Sequence, residues 1–76
     1  MISMRTNLQA ARRAKGLTQE QMAEMLGISM IHYQKIEAGE RNGNFKIWDA
    51  LEDITGIHQR ILRELQENRP GQEDNR

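Results

Sequence analysis

A chain of 76 residues forms one domain at most, and folding at this size buries only about 60% of the surface that the unfolded chain exposes. The chain has no cysteine for a disulfide or a thiolate metal site, its two histidines lie far apart, and no apolar run approaches the roughly 18 residues of a membrane span. Its 11 basic and 11 acidic side chains are unevenly spread: residues 1–48 carry seven basic against four acidic, and residues 49–76 the reverse, so one end can present positive charge to phosphate.

The first predicted helix begins near Thr6. Thr6 and Gln9 have the spacing of a capping box, in which the Thr hydroxyl accepts from an early backbone N–H and the Gln side chain reaches back to the cap. The helix continues to about residue 15 and ends at Gly16, because glycine adopts a left-handed conformation without steric cost.

The second and third predicted helices are joined by a very short turn. Thr18 and Gln21 form another capping box, and the helix that they begin runs to residue 26 and closes at Gly27. Ser29 then caps a third helix, which ends at residues 38–39.

Two further helices are predicted before the chain becomes polar. Asn44 caps a fourth helix over residues 45–55, and a fifth helix follows over residues 57–68. We therefore predict one domain over residues 1–69 and a disordered polar tail over residues 70–76.

The apolar residues of all five predicted helices recur at helical spacing, and no segment is predicted to be a strand. Each helix is too short to be stable alone, so the helices must pack around a shared core. The sequence therefore predicts an all-α fold, a compact assembly of five helices. The core is predicted to centre on Leu8, Leu17, Ala23, Leu26, Ile36, Leu51 and Ile54.

Residues 18–37 have the pattern of a helix-turn-helix. Ala23 allows the next helix to approach closely, Gly27 forms the turn, and Ile36 anchors the following helix to the core. In this geometry the second helix of the pair, residues 29–38, stands out from the domain and enters the major groove of DNA.

These features resemble the phage repressor/Cro-like (XRE-type) helix-turn-helix proteins over roughly residues 5–65. The resemblance lies in three runs, RRAKGLTQEQMAEMLGIS at 12–29, YQKIEAGERN at 33–42 and LEDITGI at 51–57. It implies a lambda-repressor-like domain, with the helix-turn-helix at helices two and three. It also implies a regulator of transcription, most simply a repressor of phage, mobile-element or bacterial origin, whose partner is double-stranded DNA.

The resemblance implies roles for individual residues. Gln19 corresponds to a phosphate-contacting glutamine at a helix N-terminus, and Arg41 and Asn42 to residues that clamp a second stretch of backbone. Lys35 is expected to bind guanine O6 or N7, and Gln34 adenine or a phosphate. The DNA contacts are therefore expected at Gln19, Ser29, Met30, Ile31, His32, Gln34, Lys35, Arg41 and Asn42.

Two features of this pattern concern specificity and stability. Met30 and Ile31 are apolar where polar residues are common, so recognition is expected to depend on thymine methyl groups or DNA shape. The alternative is that this apolar pair binds protein. Arg12 and Glu37 correspond to the ion pair by which the family ties helix one to the end of helix three.

The fifth predicted helix carries an apolar stripe, and the family commonly dimerises through its last helix. A homodimer on a pseudo-palindromic operator is therefore expected, with Ile61, Leu62 and Leu65 at its interface. The other function considered is a protein-interaction module on the same fold, such as an antitoxin or an accessory subunit. No enzymatic activity, metal, cofactor or small-molecule ligand is expected, and the absence of a signal-peptide pattern favours the cytoplasm.

Overall fold

Five helices and a short two-stranded ribbon make up residues 2–68, the part of the chain that the structure, a computed structural model, describes. The all-α class with five helices is confirmed. The elements in chain order are β1 (Ile2–Met4), α1 (Thr6–Ala14), α2 (Gln19–Leu26), α3 (Met30–Glu37), α4 (Phe45–Thr55), α5 (Gln59–Leu62) and β2 (Gln66–Asn68).

Three helices begin at the side-chain caps that the sequence predicts. Thr18 Oγ1 accepts from the backbone N–H of Gln21 at 3.0 Å, and the Gln21 side chain accepts from the Thr18 N–H at 2.9 Å, which completes the capping box of α2. The Ser29 hydroxyl accepts from an N–H in the first turn of α3, and Asn44 Oδ1 does the same in α4. These bonds satisfy backbone donors that lack a partner within the helix, so the caps fix where α2, α3 and α4 start.

The capping box predicted at Thr6 is wrong. Thr6 is itself the first helical residue, and the N-cap position belongs to Arg5, whose side chain makes no capping bond. The entry to α1 is held by a tertiary contact, because the Arg5 N–H donates to the carbonyl of Glu37 at 2.9 Å. A bond to a residue so distant in sequence overrides the local signal.

The predicted extent of the fifth helix and the predicted absence of strands are also wrong. The helix ends at Leu62, and β2 pairs antiparallel with β1, with Met4 opposite Gln66 and Ile2 opposite Asn68. The Arg63 carbonyl beyond the helix accepts from the guanidinium of Arg5 at 3.2 Å, so the chain is tied down where the helix stops. The predicted domain end at residue 69 and tail over residues 70–76 lie outside the described residues.

The core lies where the helices converge. Of the predicted core residues, four are fully buried, and Leu17, Leu26 and Ile54 are partly buried at its edge. Trp48 and Tyr33 are the largest side chains that are completely enclosed. No helix among residues 2–68 is long and apolar enough to cross a membrane. The buried apolar residues are Leu8, Ala11, Met22, Ala23, Tyr33, Ile36, Ile47, Trp48, Leu51 and Leu62.

Candidate nucleic-acid interface

The third helix has one buried face and one exposed face. Tyr33 and Ile36 are completely buried, whereas Met30 and Ile31 are 41% and 62% exposed. The turn before the helix is tight, since Gly27 has a φ of 74°, and Ser29 follows as the cap after one intervening residue. The N-terminal half of α3 therefore presents its side chains outward from a firmly anchored base.

A chain of hydrogen bonds links the exposed face of α3 to its buried end. The Gln34 amide donates to Gln19 Oε1 at 3.0 Å, and the Gln19 amide donates to Glu37 Oε1 at 3.0 Å. The two glutamines assigned from sequence to DNA contacts thus hold each other in place across α2 and α3. Each amide nitrogen uses only one of its two N–H groups in these bonds, so a second donor remains on each side chain.

Glu37, at the end of this chain, is the centre of a buried polar cluster. Its Oε2 accepts from Arg12 Nε and from the Tyr33 hydroxyl, both at 2.6 Å. The Arg12–Glu37 ion pair implied by the family resemblance is therefore present, with side chains only 8% and 5% exposed. The hydrogen bond to Glu37 raises the pKa of Arg12 above its usual value. Burial and the bond to Glu37 together raise the pKa of Tyr33 far above its usual value.

The loop between α3 and α4 carries the predicted backbone clamp. The side chains of Arg41 and Asn42 are exposed, while their carbonyl groups are held from within. Arg5 Nη1 donates to the Arg41 carbonyl at 2.9 Å, and Trp48 Nε1 donates to the Asn42 carbonyl at 2.7 Å. A cationic side chain at Arg41 is thus fixed at its backbone and free at its tip, which suits contact with phosphate.

Two residues in this arrangement were not assigned a role from the sequence. Arg5 reaches the carbonyl groups of Ile36 and Arg41, which lie 31 and 36 residues away, and no local pattern indicates such contacts. Trp48 lies in the core, and its indole N–H also fixes the loop. Buried tryptophans usually find such a partner, and this was the available signal.

Lys35 and His32, two further predicted contact residues of α3, differ in their surroundings. Lys35 is half-buried near the end of α3. His32 lines a hollow of about 380 Å³ with Ile28 and Lys46, between the turn and the start of α4. Lys46 itself is exposed, so a positively charged side chain also lies next to this hollow, beside α3.

The predicted dimer interface needs one correction. Leu62 is completely buried in the core of its own domain and is not available to a partner. The helix α5 is short and packs against α1 and α4, which turns this leucine inward. Ile61 and Leu65 are exposed. Within residues 2–68, no cluster of three or more histidine, aspartate or glutamate side chains is placed to hold a metal ion.

Comparison with known proteins agrees with this geometry. A family model described as helix-turn-helix matches residues 8–58, which is 51 of the 76 residues and includes α2, α3 and the loop before α4. No curated protein matches the chain. The chain belongs to the phage repressor/Cro-like (XRE-type) helix-turn-helix family of DNA-binding regulators.

Proposed function

We propose that the protein binds double-stranded DNA sequence-specifically and represses transcription, with α3 in the major groove and with an origin in a phage, a mobile element or a bacterial genome. The observation that carries this proposal is the orientation of α3, whose buried residues lock it to the core while Met30 and Ile31 stand outward. A rigid helix with an exposed N-terminal half is the element that helix-turn-helix proteins place against base edges.

The side chains of α3 suggest what sequence is recognised. Ile31 and Met30 provide apolar surface but no hydrogen bond, and in the major groove such surface complements the methyl group of thymine. Lys35 supplies a charged donor for guanine further along the helix. The operator is therefore expected to combine thymines opposite the start of α3 with a guanine opposite its end.

Phosphate contacts from two elements next to α3 would set its register. Gln19 lies at the N-terminus of α2, where its free amide N–H and the backbone N–H groups favour a phosphate. Arg41 and Asn42 are exposed in the loop after α3. Such contacts position the helix but carry no sequence information directly.

Two copies of the domain would recognise the two halves of the operator. Ile61 and Leu65 leave apolar surface exposed at the end of α5, and burial of this surface against a second copy would form a two-fold dimer. The two recognition helices would then lie about 34 Å apart, one turn of DNA. Equilibrium sedimentation that finds only monomers, both free and with duplex, would contradict this part of the proposal.

The second candidate function is binding to protein on the same fold, as in an antitoxin or an accessory subunit. It is favoured by the exposed apolar side chains near the recognition helix, since Phe45 is 75% exposed and Ile31 is 62% exposed. Large apolar side chains left exposed in this way can belong to a protein interface.

One set of measurements separates the two functions. Selection from a random duplex library should enrich a single motif, and Lys35→Ala should weaken binding to that motif by about tenfold, the loss of one charged hydrogen bond. Lys15→Ala removes the same charge from an exposed position after α1 and should leave affinity within about twofold, since such surface changes have small effects. No enriched motif, or equal losses in both variants, would refute sequence-specific recognition by α3.

A further inference from the structure

A groove of about 550 Å³ lies on the side of α5 that faces the loop between α3 and α4. Its wall on one side is formed by Arg60 and Arg63, and on the other by Asn42 of the loop, while Arg5 lies at its base. None of these roles follows from the proposed recognition of base edges by α3. The groove is therefore a second polar feature, next to the predicted backbone clamp.

The residues that line this groove carry a net positive charge. Three arginines and one glutamate line it, a net charge of +2 with histidine neutral. The glutamate, Glu64, already accepts a hydrogen bond from Asn7 at 2.9 Å. Among residues 4–66, whose side chains the structure describes, the ion pair is Arg12–Glu37, so none of the three groove arginines has a carboxylate within 4 Å in that range. Two of the three arginines, Arg60 and Arg63, belong to the half of the sequence that is otherwise acidic.

Two of the arginines lie over the same aromatic ring. The guanidinium carbon of Arg5 lies 5.1 Å from the centroid of the Trp48 ring, and that of Arg63 lies 5.9 Å from it. Burial and the positive charge of Arg63 both lower the pKa of Arg5. Two like charges kept this close repel each other, and an anion between the groove walls would relieve that repulsion.

The groups around the groove are mostly hydrogen-bond donors. Guanidinium groups match the geometry of phosphate oxygens and bind them through paired N–H bonds. His58 Nδ1 accepts from the Arg60 backbone N–H at 3.0 Å, which leaves the proton of the neutral ring on Nε2 as a further donor. A site built from donors and positive charge selects an acceptor-rich anion.

We propose that this groove binds a phosphate group, supplied either by the DNA backbone next to the operator or by a free phosphorylated compound. The first source rests on the proposed DNA-binding function, and the second does not. Either occupant would act on the loop between α3 and α4, because Arg5, which lines the groove, also holds the Arg41 carbonyl. Trp48, whose ring lies under Arg5 and Arg63, holds the Asn42 carbonyl in the same loop.

The free source is tested with the full chain and inorganic phosphate or pyrophosphate, added at constant ionic strength set with chloride. Trp48 is the sole tryptophan and touches the groove arginines, so its fluorescence reports occupancy directly. We expect a saturable change whose midpoint rises about tenfold in Arg60→Gln, since one charged hydrogen bond is lost while both stacked guanidiniums remain. Arg13→Gln removes an equal charge from the exposed surface of α1 and should leave the midpoint unchanged.

The DNA source is tested by the salt dependence of operator binding. Loss of one backbone phosphate contact in Arg60→Gln should make the negative slope of log K against log salt shallower by about 0.9, and Arg13→Gln should not change this slope. Circular dichroism checks that both variants, each altered at one exposed position, remain folded. A changed slope assigns the phosphate to DNA, and a saturable response to phosphate with an unchanged slope assigns it to a free compound.

The proposal is overturned if phosphate and pyrophosphate give no saturable response and the slope is the same in all three proteins. It is also overturned if Arg13→Gln changes either quantity as much as Arg60→Gln, because the effect would then be one of general charge. A wild-type chain that binds pyrophosphate but enriches no duplex would refute the DNA-binding function and would leave the proposed phosphate site in the groove supported. The two failures are therefore distinguishable.

Discussion

Replacing Glu37 by Gln should destabilise the domain more than any change to an exposed glutamate. The substitution preserves size and one side-chain oxygen but leaves the Arg12 guanidinium buried without a counter-charge. Removing one partner of a buried ion pair costs about 3–5 kcal/mol. Arg12 also donates to the Leu17 carbonyl at 2.8 Å, and this bond survives, so we expect the lower end, about 3 kcal/mol.

That loss is large for a chain of this size. A domain of 76 residues has a total stability of about 4–11 kcal/mol, and each kcal/mol moves the melting temperature by roughly 4–8 °C. Glu37→Gln should therefore lower Tm by roughly 12–24 °C, measured by circular dichroism, and lower the urea midpoint followed through Trp48 fluorescence.

Two controls show whether the buried charge is the cause. Glu24→Gln makes the same chemical change on the exposed face of α2 and should shift stability by less than about 0.5 kcal/mol. Combining Arg12→Met with Glu37→Gln should cost less than the sum of the two single changes, because the pair is coupled. A loss below about 1 kcal/mol in Glu37→Gln, or an additive double variant, would refute this account of the cluster.

Three further predictions concern other parts of the molecule. Burial raises the pKa of Tyr33, so the folded chain keeps this hydroxyl protonated at pH values where the unfolded chain loses the proton. The free energy of unfolding should therefore be unaffected below about pH 10 and fall as the pH rises above it. Absorbance at 295 nm should show this sole tyrosine ionising only as the chain unfolds. In urea unfolding, Gly43→Ala should lower the free energy of unfolding more than Gly16→Ala does. Both glycines have φ near +70°, but only at Gly43 would a Cβ lie 3.3 Å from Trp48 Nε1. Equal losses of stability in the two variants would contradict this packing argument. Replacing operator thymines by deoxyuridine should weaken binding about fourfold per contacted methyl. In Ile31→Ser this loss should disappear at the thymine that Ile31 contacts, and an unchanged loss at every thymine would place the methyl contact elsewhere.

Local chemistry explains which features the sequence predicted well. The caps at Thr18, Ser29 and Asn44 depend on residues only three positions apart, so their signals are complete within a short segment. The inward orientation of Tyr33 and Ile36 likewise follows from helical spacing alone. Such features need no knowledge of where the rest of the chain lies.

Features that depend on distant partners could not be predicted in the same way. Arg5 donates to carbonyl groups up to 58 residues away. Because every residue has a carbonyl group, no sequence pattern identifies which of them will accept. The pairing of β1 with β2 has the same character, which is why a continuous fifth helix was expected. Leu62 was assigned to the surface because an apolar stripe does not reveal which of its members the core already occupies.

In the candidate site, too, local features were predictable from the sequence and contacts between distant residues were not. The family pattern located Gln19 and Gln34 correctly on adjacent helices, but the hydrogen bond between them emerges only once α2 and α3 are packed. A substitution at Gln34 therefore changes the position of Gln19 as well as any contact of its own. The two residues should behave non-additively in DNA affinity, since they share one hydrogen-bonded chain.

The ribbon of β1 and β2 has a consequence for the order in which the domain opens. It closes a loop between Ile2 and Asn68, which includes nearly all of the described chain, and the entropy of closing a loop grows with its length. Three residues in each strand supply few bonds against that entropy, so the ribbon should open in the native state well before the helices unfold. Amide hydrogens of Met4 and Gln66 should then exchange by this partial opening, while those of α3 exchange only when the whole domain unfolds.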